Sequence, residues 1–101
     1  MTFRRAASTE DFSSGNVRKV EIDGSQIMII RLGDSFHALD STCTHEDADL
    51  SRGILSGNSI VCPLHLSRFN VETGEVENPP ATEPLRTYSV RVDGNEIYVD
   101  V

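Results

Sequence analysis

Tryptophan is absent, aromatic residues amount to 6%, and 101 residues hold only two cysteines, four prolines and seven glycines. Glycine and proline at that level exclude collagen-like and low-complexity chains. The longest aliphatic stretch, Ile27-Met28-Ile29-Ile30, is far shorter than the roughly 20 residues a membrane-spanning helix needs. Basic residues are also scarce. Nine Lys and Arg stand against sixteen Asp and Glu, and the resulting net charge of −7 opposes binding to phosphate backbones or anionic lipid surfaces. The deficit is greatest in residues 71–101, where seven acids meet two bases. Such a bias usually reflects a solvated surface, although it can also steer a basic partner. No segment keeps a 3.6-residue apolar period, and neither repeats nor P-loop, nucleophile-elbow or dinucleotide-binding glycine patterns occur. Arg4-Arg5 is followed by the polar run Ser8-Thr9-Glu10-Asp11-Phe12-Ser13-Ser14 instead of an apolar one, which argues against an export signal. The expectation is one soluble, cytoplasmic, globular domain spanning 1–101, with neither nucleic acid nor membrane as partner.

What is present reads as strands. Ser8 with Asp11 is a capping signature for one helical turn before Gly15. Val17–Ile22, Gln26–Arg31 and Ser35–Asp40 are β-prone runs separated by Asp23-Gly24 and Gly33-Asp34, which predicts a meander. Tyr88–Val92 and Glu96–Val101 flank Asp93-Gly94-Asn95, and Ile97, Val99 and Val101 alternate with polar neighbours, which predicts a second hairpin. Between these halves the signal is broken. Ser59–Cys62 and Arg68–Val71 are brief strands, Thr73-Gly74 is a turn, and Asn78-Pro79-Pro80-Ala81 is placed outside any ladder because proline lacks the donor. Loops of that extent do not offset their own ordering entropy by burial, so a metal centre is expected to organise them.

The chemistry lies in that middle. Cys43-Thr44-His45 and Cys62-Pro63-Leu64-His65 form C-x-H, sixteen residues, then C-x2-H, which places two soft thiolates and two imidazoles in two matched pairs. Three chemistries can use this set. Zinc would take the same four ligands, although zinc motifs generally pair like with like. A [2Fe-2S] cluster with two Cys on one iron and two His on the other suits loops that each mix the two types. A Cys43–Cys62 disulfide with incidental histidines is the third. His37 lies in a strand ahead of the first pair and is read as a surface or packing residue. Glu46, Asp47 and Asp49 are read as solvated carboxylates rather than hard-metal ligands.

Over nearly its whole length the chain resembles the small Rieske-type ferredoxins that serve bacterial ring-hydroxylating dioxygenase systems. The resemblance is carried by Cys43-Thr44-His45 with Leu50-Ser51-Arg52-Gly53, by Cys62-Pro63-Leu64-His65 with Phe69, by Thr73-Gly74 and by Asn78-Pro79-Pro80-Ala81. It implies an all-β antiparallel sandwich or barrel with a small loop-rich cluster-binding subdomain of about 42–71. It also implies one Rieske [2Fe-2S] cluster held by Cys43, His45, Cys62 and His65. The implied role is that of a monomeric one-electron carrier, not an enzyme, between an NAD(P)H-dependent flavoprotein reductase and a terminal oxygenase. The same fold occurs in small subunits of assimilatory nitrite reductases, and that role and a zinc-bound interaction module stay open as alternatives. Two departures stand out. Leu66 occupies the place where the family usually has glycine, and Phe69 replaces the tyrosine of high-potential members, which keep a serine at the place of Ser67. One sulfur-directed donor in place of two implies a potential in the lower half of the Rieske range of about −150 to +300 mV.

Overall fold

A computed structural model describes residues 2–44, 48–64, 66–79 and 81–101. Its strands are β1 (Phe3–Ser8), β2 (Val17–Ile22), β3 (Ser25–Leu32), β4 (Ser35–Asp40), β5 (Ile54–Ser56), β6 (Ser59–Val61), β7 (Arg68–Asn70), β8 (Val76–Asn78), β9 (Thr87–Tyr88), β10 (Val90–Asp93) and β11 (Glu96–Asp100). They form three antiparallel sheets, ordered β1-β11-β10, β2-β3-β4-β9 and β5-β6-β7-β8. The fold is all-β, as the strand patterns predict. Asp23 (φ +50°) and Gly24 (φ +85°) both adopt the left-handed conformation that a tight β2–β3 turn requires. The Ser8–Asp11 signature becomes a 3₁₀ turn, Thr9–Phe12. There the Ser8 hydroxyl accepts from the Glu10 N–H, and the Asp11 carboxylate accepts from the Ser8 N–H.

The aliphatic run in β3 explains how the sheets stack. Ile27, Met28, Ile29 and Ile30 are all fully buried, although a strand covered on one face would alternate. Ile27 and Ile29 join Ala7, Phe12, Ala38, Ile97 and Val99 in one core. Met28 and Ile30 point the other way, into a second core with Leu39, Cys43, Leu50, Ile60, Cys62 and Phe69. β3 is therefore apolar on both sides because its sheet is the middle layer. Each of those four side chains contributes about 1.5–3 kcal/mol of burial, so this strand anchors both the basal sandwich and the smaller sheet.

Three strands escape the sequence patterns, and two predicted boundaries shift. β1 is an edge strand whose first three residues stay exposed and whose one buried residue is Ala7, so it has too little inward alternation to read. β5 and β8 are three-residue strands, too short to show a period. The predicted Tyr88–Val92 strand is split at Ser89, because the chain leaves the middle sheet after β9 and enters the first sheet as β10. Asn78, expected outside the ladder, ends β8 opposite Arg68. It keeps an N–H to donate, and the proline restriction begins only at Pro79.

Candidate metal centre

Both cysteines sit at the base of hairpin-like loops. The first loop leaves β4, is closed by an antiparallel bridge between Thr42 and Asp49, and has the Cys43 N–H donating to Ala48 O at 2.9 Å. The second spans β6 to β7. There the Cys62 N–H donates to Ser67 O at 2.7 Å, and the Leu66 N–H donates to Cys62 O at 3.2 Å. Cys43 is 4% exposed and Cys62 1%, both within the second core, and no disulfide joins them. His45 and His65, the other two predicted ligands, lie outside the described residues, as do Glu46 and Asp47.

A third segment, the proline loop after β8, is stitched to both. The Thr44 hydroxyl donates to Glu83 O at 2.6 Å, Asn78 Nδ2 donates to Leu66 O at 3.3 Å, and the Ala81 N–H donates to Ser67 Oγ at 3.0 Å. The Thr44 and Asn78 bonds are not legible in the sequence, because each side chain meets a backbone carbonyl supplied by a distant segment. Ser67 is fully buried, and its hydroxyl uses one lone pair to accept from Ala81. Among the described residues its proton reaches no acceptor. Two buried cysteines in one core, in loops that each pair a thiol with an imidazole in sequence, make a donor set that suits an iron–sulfur group. The residues present fit a [2Fe-2S] cluster.

Glycines fix the spacing around this centre. A Cβ on Gly53 would lie 2.1 Å from Val61 O, so the segment after the Leu50–Arg52 turn reaches β6 only without a side chain. Gly74 combines a φ of +77° with a Cβ position 2.2 Å from Leu85 O. Leu66 is the exception. It holds φ +61° despite its side chain, at a cost of about 1–2 kcal/mol, and leaves that side chain 63% exposed. The second loop thus keeps the backbone that a glycine would adopt freely.

The remaining candidates have structural partners. Asp49 caps the Leu50–Arg52 turn, with Oδ1 accepting from the Ser51 N–H and hydroxyl, while Lys19 Nζ on β2 reaches Oδ2 at 3.2 Å. Partial burial works to raise its pKa, but the bonds from Ser51 and the Lys19 charge outweigh that and hold the carboxyl below its usual value. Asp49 therefore ties the first loop to the basal sheets. His37 is half-buried on β4 with Nε2 3.0 Å from Ser35 Oγ, which agrees with a packing role.

Residues 2–89 match the family described as the Rieske [2Fe-2S] domain. The biphenyl dioxygenase ferredoxin subunit of Pseudomonas sp. strain KKS102 is 37% identical over 101 residues, covering 99% of this chain and 93% of that protein. Among solved structures, the ferredoxin of carbazole 1,9a-dioxygenase from Nocardioides aromaticivorans IC177 superposes with a TM-score of 0.92 at 38% identity, covering 98% of this chain and 97% of that one. A chain in the complex of reduced oxygenase and oxidised ferredoxin in carbazole 1,9a-dioxygenase gives 0.89 at 39% identity, covering 96% of this chain and 91% of that one. With buried cysteines at the bases of two adjoining loops and a match over most of its length, the chain belongs to the Rieske [2Fe-2S] family.

Proposed function

We propose that the protein is the ferredoxin component of a bacterial ring-hydroxylating dioxygenase system, an electron carrier with no substrate site of its own. The observation that carries this reading is the near end-to-end match to stand-alone ferredoxins of such systems, with more than nine-tenths of each chain aligned. Cys43, His45, Cys62 and His65 are its cluster ligands, and residues of about 42–71 form the cluster-binding subdomain. Bound there, the cluster supplies a one-electron couple. The burial of Cys43 and Cys62 in one core supports that ligand set, since it keeps water from the thiolate side.

The electron donor is an NAD(P)H-dependent flavoprotein reductase and the acceptor a terminal oxygenase. The carrier works as a cytoplasmic monomer, and no helix among the described residues is long and apolar enough to cross a membrane. A carrier must leave after each transfer, and a net charge of −7 favours steering over tight binding.

Reconstitution tests the reading. NADH-dependent turnover by a reductase and a terminal oxygenase should require the purified protein, which should contain two iron and two acid-labile sulfide per chain and lose them in Cys43→Ser, His45→Ala, Cys62→Ser and His65→Ala. Stoichiometric zinc without sulfide would overturn it.

A further inference from the structure

Lys19 stands where the pattern of β2 calls for an apolar residue. It pairs with Met28 across the β2–β3 ladder, as Val17 does with Ile30, and cross-strand partners share a face. Met28 and Ile30 line the second core and Val17 packs against it, whereas Val20 and Ile22 serve the first core from the other face. Lys19 therefore projects from an outer strand of the middle sheet on the side where both cysteines lie. An inward charge on an outer strand guards it against pairing with other chains, but such a guard needs no acceptor. Lys19 has one. Its Nζ donates to Asp49 Oδ2 at 3.2 Å, with the two side chains 39% and 28% exposed. Oδ1 is taken by Ser51, and the other base nearby, Arg52, stays 3.9 Å away with its side chain mostly in water. Asp49 marks the return of the first loop. Its backbone bridges Thr42, and on either side of it Ala48 O accepts from the Cys43 N–H and the Leu50 N–H donates to Ser41 O at 2.7 Å. Leu50 is fully buried in the same core as Cys43.

We propose that Lys19 is a positioning residue for the metal centre: acting through Asp49, it holds the return limb of the first loop, residues 48–53, against the middle sheet and slows the opening that releases iron. This rests on the ligand set proposed above, in which Cys43 and His45 hold the cluster from that loop. Backbone bonds tie the two limbs of the loop to each other, and the ion pair ties them to a strand outside it. Partial exposure weakens the pair, so its loss should count for more than that of a surface ion pair and for less than that of a buried charged hydrogen bond, about fivefold in the opening equilibrium.

The test uses Lys19→Met, Asp49→Asn, the double variant and Lys19→Arg in the oxidised, cluster-loaded protein. Methionine keeps an unbranched stem without the charge, and asparagine keeps an oxygen to cap the Leu50–Arg52 turn. Iron release to a chelator, followed by the loss of visible absorbance, should be about fivefold faster in Lys19→Met and in Asp49→Asn, no faster again in the double variant, and back at the wild-type rate in Lys19→Arg. Hydrogen exchange read by mass spectrometry should rise by the same factor over residues 48–53 and stay unchanged over residues 25–40. A through-space effect of charge would instead lower the midpoint potential without the Lys19 ammonium and raise it without the Asp49 carboxylate. An unchanged release rate in either single variant overturns the inference, as do additive effects in the double variant, an equal rise in exchange over residues 25–40, or opposite shifts of potential with release unaltered. A wild-type protein purified without iron and acid-labile sulfide would sink the ligand reading first, whereas a loaded wild type whose variants keep their iron equally well sinks this inference alone.

Discussion

Ser67→Ala separates two jobs of one hydroxyl. In the folded protein Ser67 Oγ accepts from the Ala81 N–H at 3.0 Å, and both residues are buried, at 0% and 2% exposure. Alanine removes the acceptor and leaves a buried amide unpaired, which costs about 1–3 kcal/mol. With a urea m-value of about 1–3 kcal/mol/M, the unfolding midpoint should fall by roughly 1 M. The same substitution removes the uncommitted proton. If that proton points at cluster sulfur it stabilises the more negative, reduced state, and a differential of about 1 kcal/mol corresponds to roughly 40 mV for a one-electron couple. The potential should therefore fall by about that amount in protein-film voltammetry, while Phe69→Tyr, which adds a hydroxyl on β7, should raise it. Urea denaturation followed by circular dichroism reads the first effect, and voltammetry reads the second. A Ser67→Ala protein that loses stability but keeps its potential would refute the donor role and leave Ser67 as a strut for the proline loop alone.

Gly53→Ala should cost about 1–3 kcal/mol and lower cluster content, since its Cβ would need Val61 O to move from a position 2.1 Å away; iron analysis and urea midpoints check this. Ser41→Ala should be neutral or mildly stabilising in the same denaturation assay, because the buried Ser41 hydroxyl has no hydrogen-bond partner among the described residues. Tyr88, whose hydroxyl donates to Asp40 Oδ1 at 2.5 Å, has its pKa pushed up to about 12 by burial and by Asp40. Its folded pKa lies above the unfolded value near 10, so its share of stability is full below pH 10 and is lost as pH rises through 12. Ultraviolet titration should place its ionisation there, and Asp40→Asn should lower it.

Membership of the Rieske family was legible in the sequence because its motifs are local. C-x-H and C-x2-H each put a cysteine and a histidine within one short segment, where spacing makes them visible, and turn dipeptides with period-2 alternation locate the meander and the β10–β11 hairpin for the same reason. Non-local features were not legible. β1 shows no readable alternation because it is an edge strand that buries only Ala7, and β5 and β8 gain their pairing only from neighbours in the small sheet. The run Ile27–Ile30 announces burial, but not that alternate residues serve two separate cores. Tertiary structure alone brings the hydroxyl of Thr44 to Glu83, the amide of Asn78 to Leu66 and the amide of Ala81 to Ser67. It also decides that Leu66 adopts a glycine's backbone. The second loop is closed by its own backbone bonds and by Asn78 from the proline loop, and those bonds together outweigh the steric preference of a single side chain.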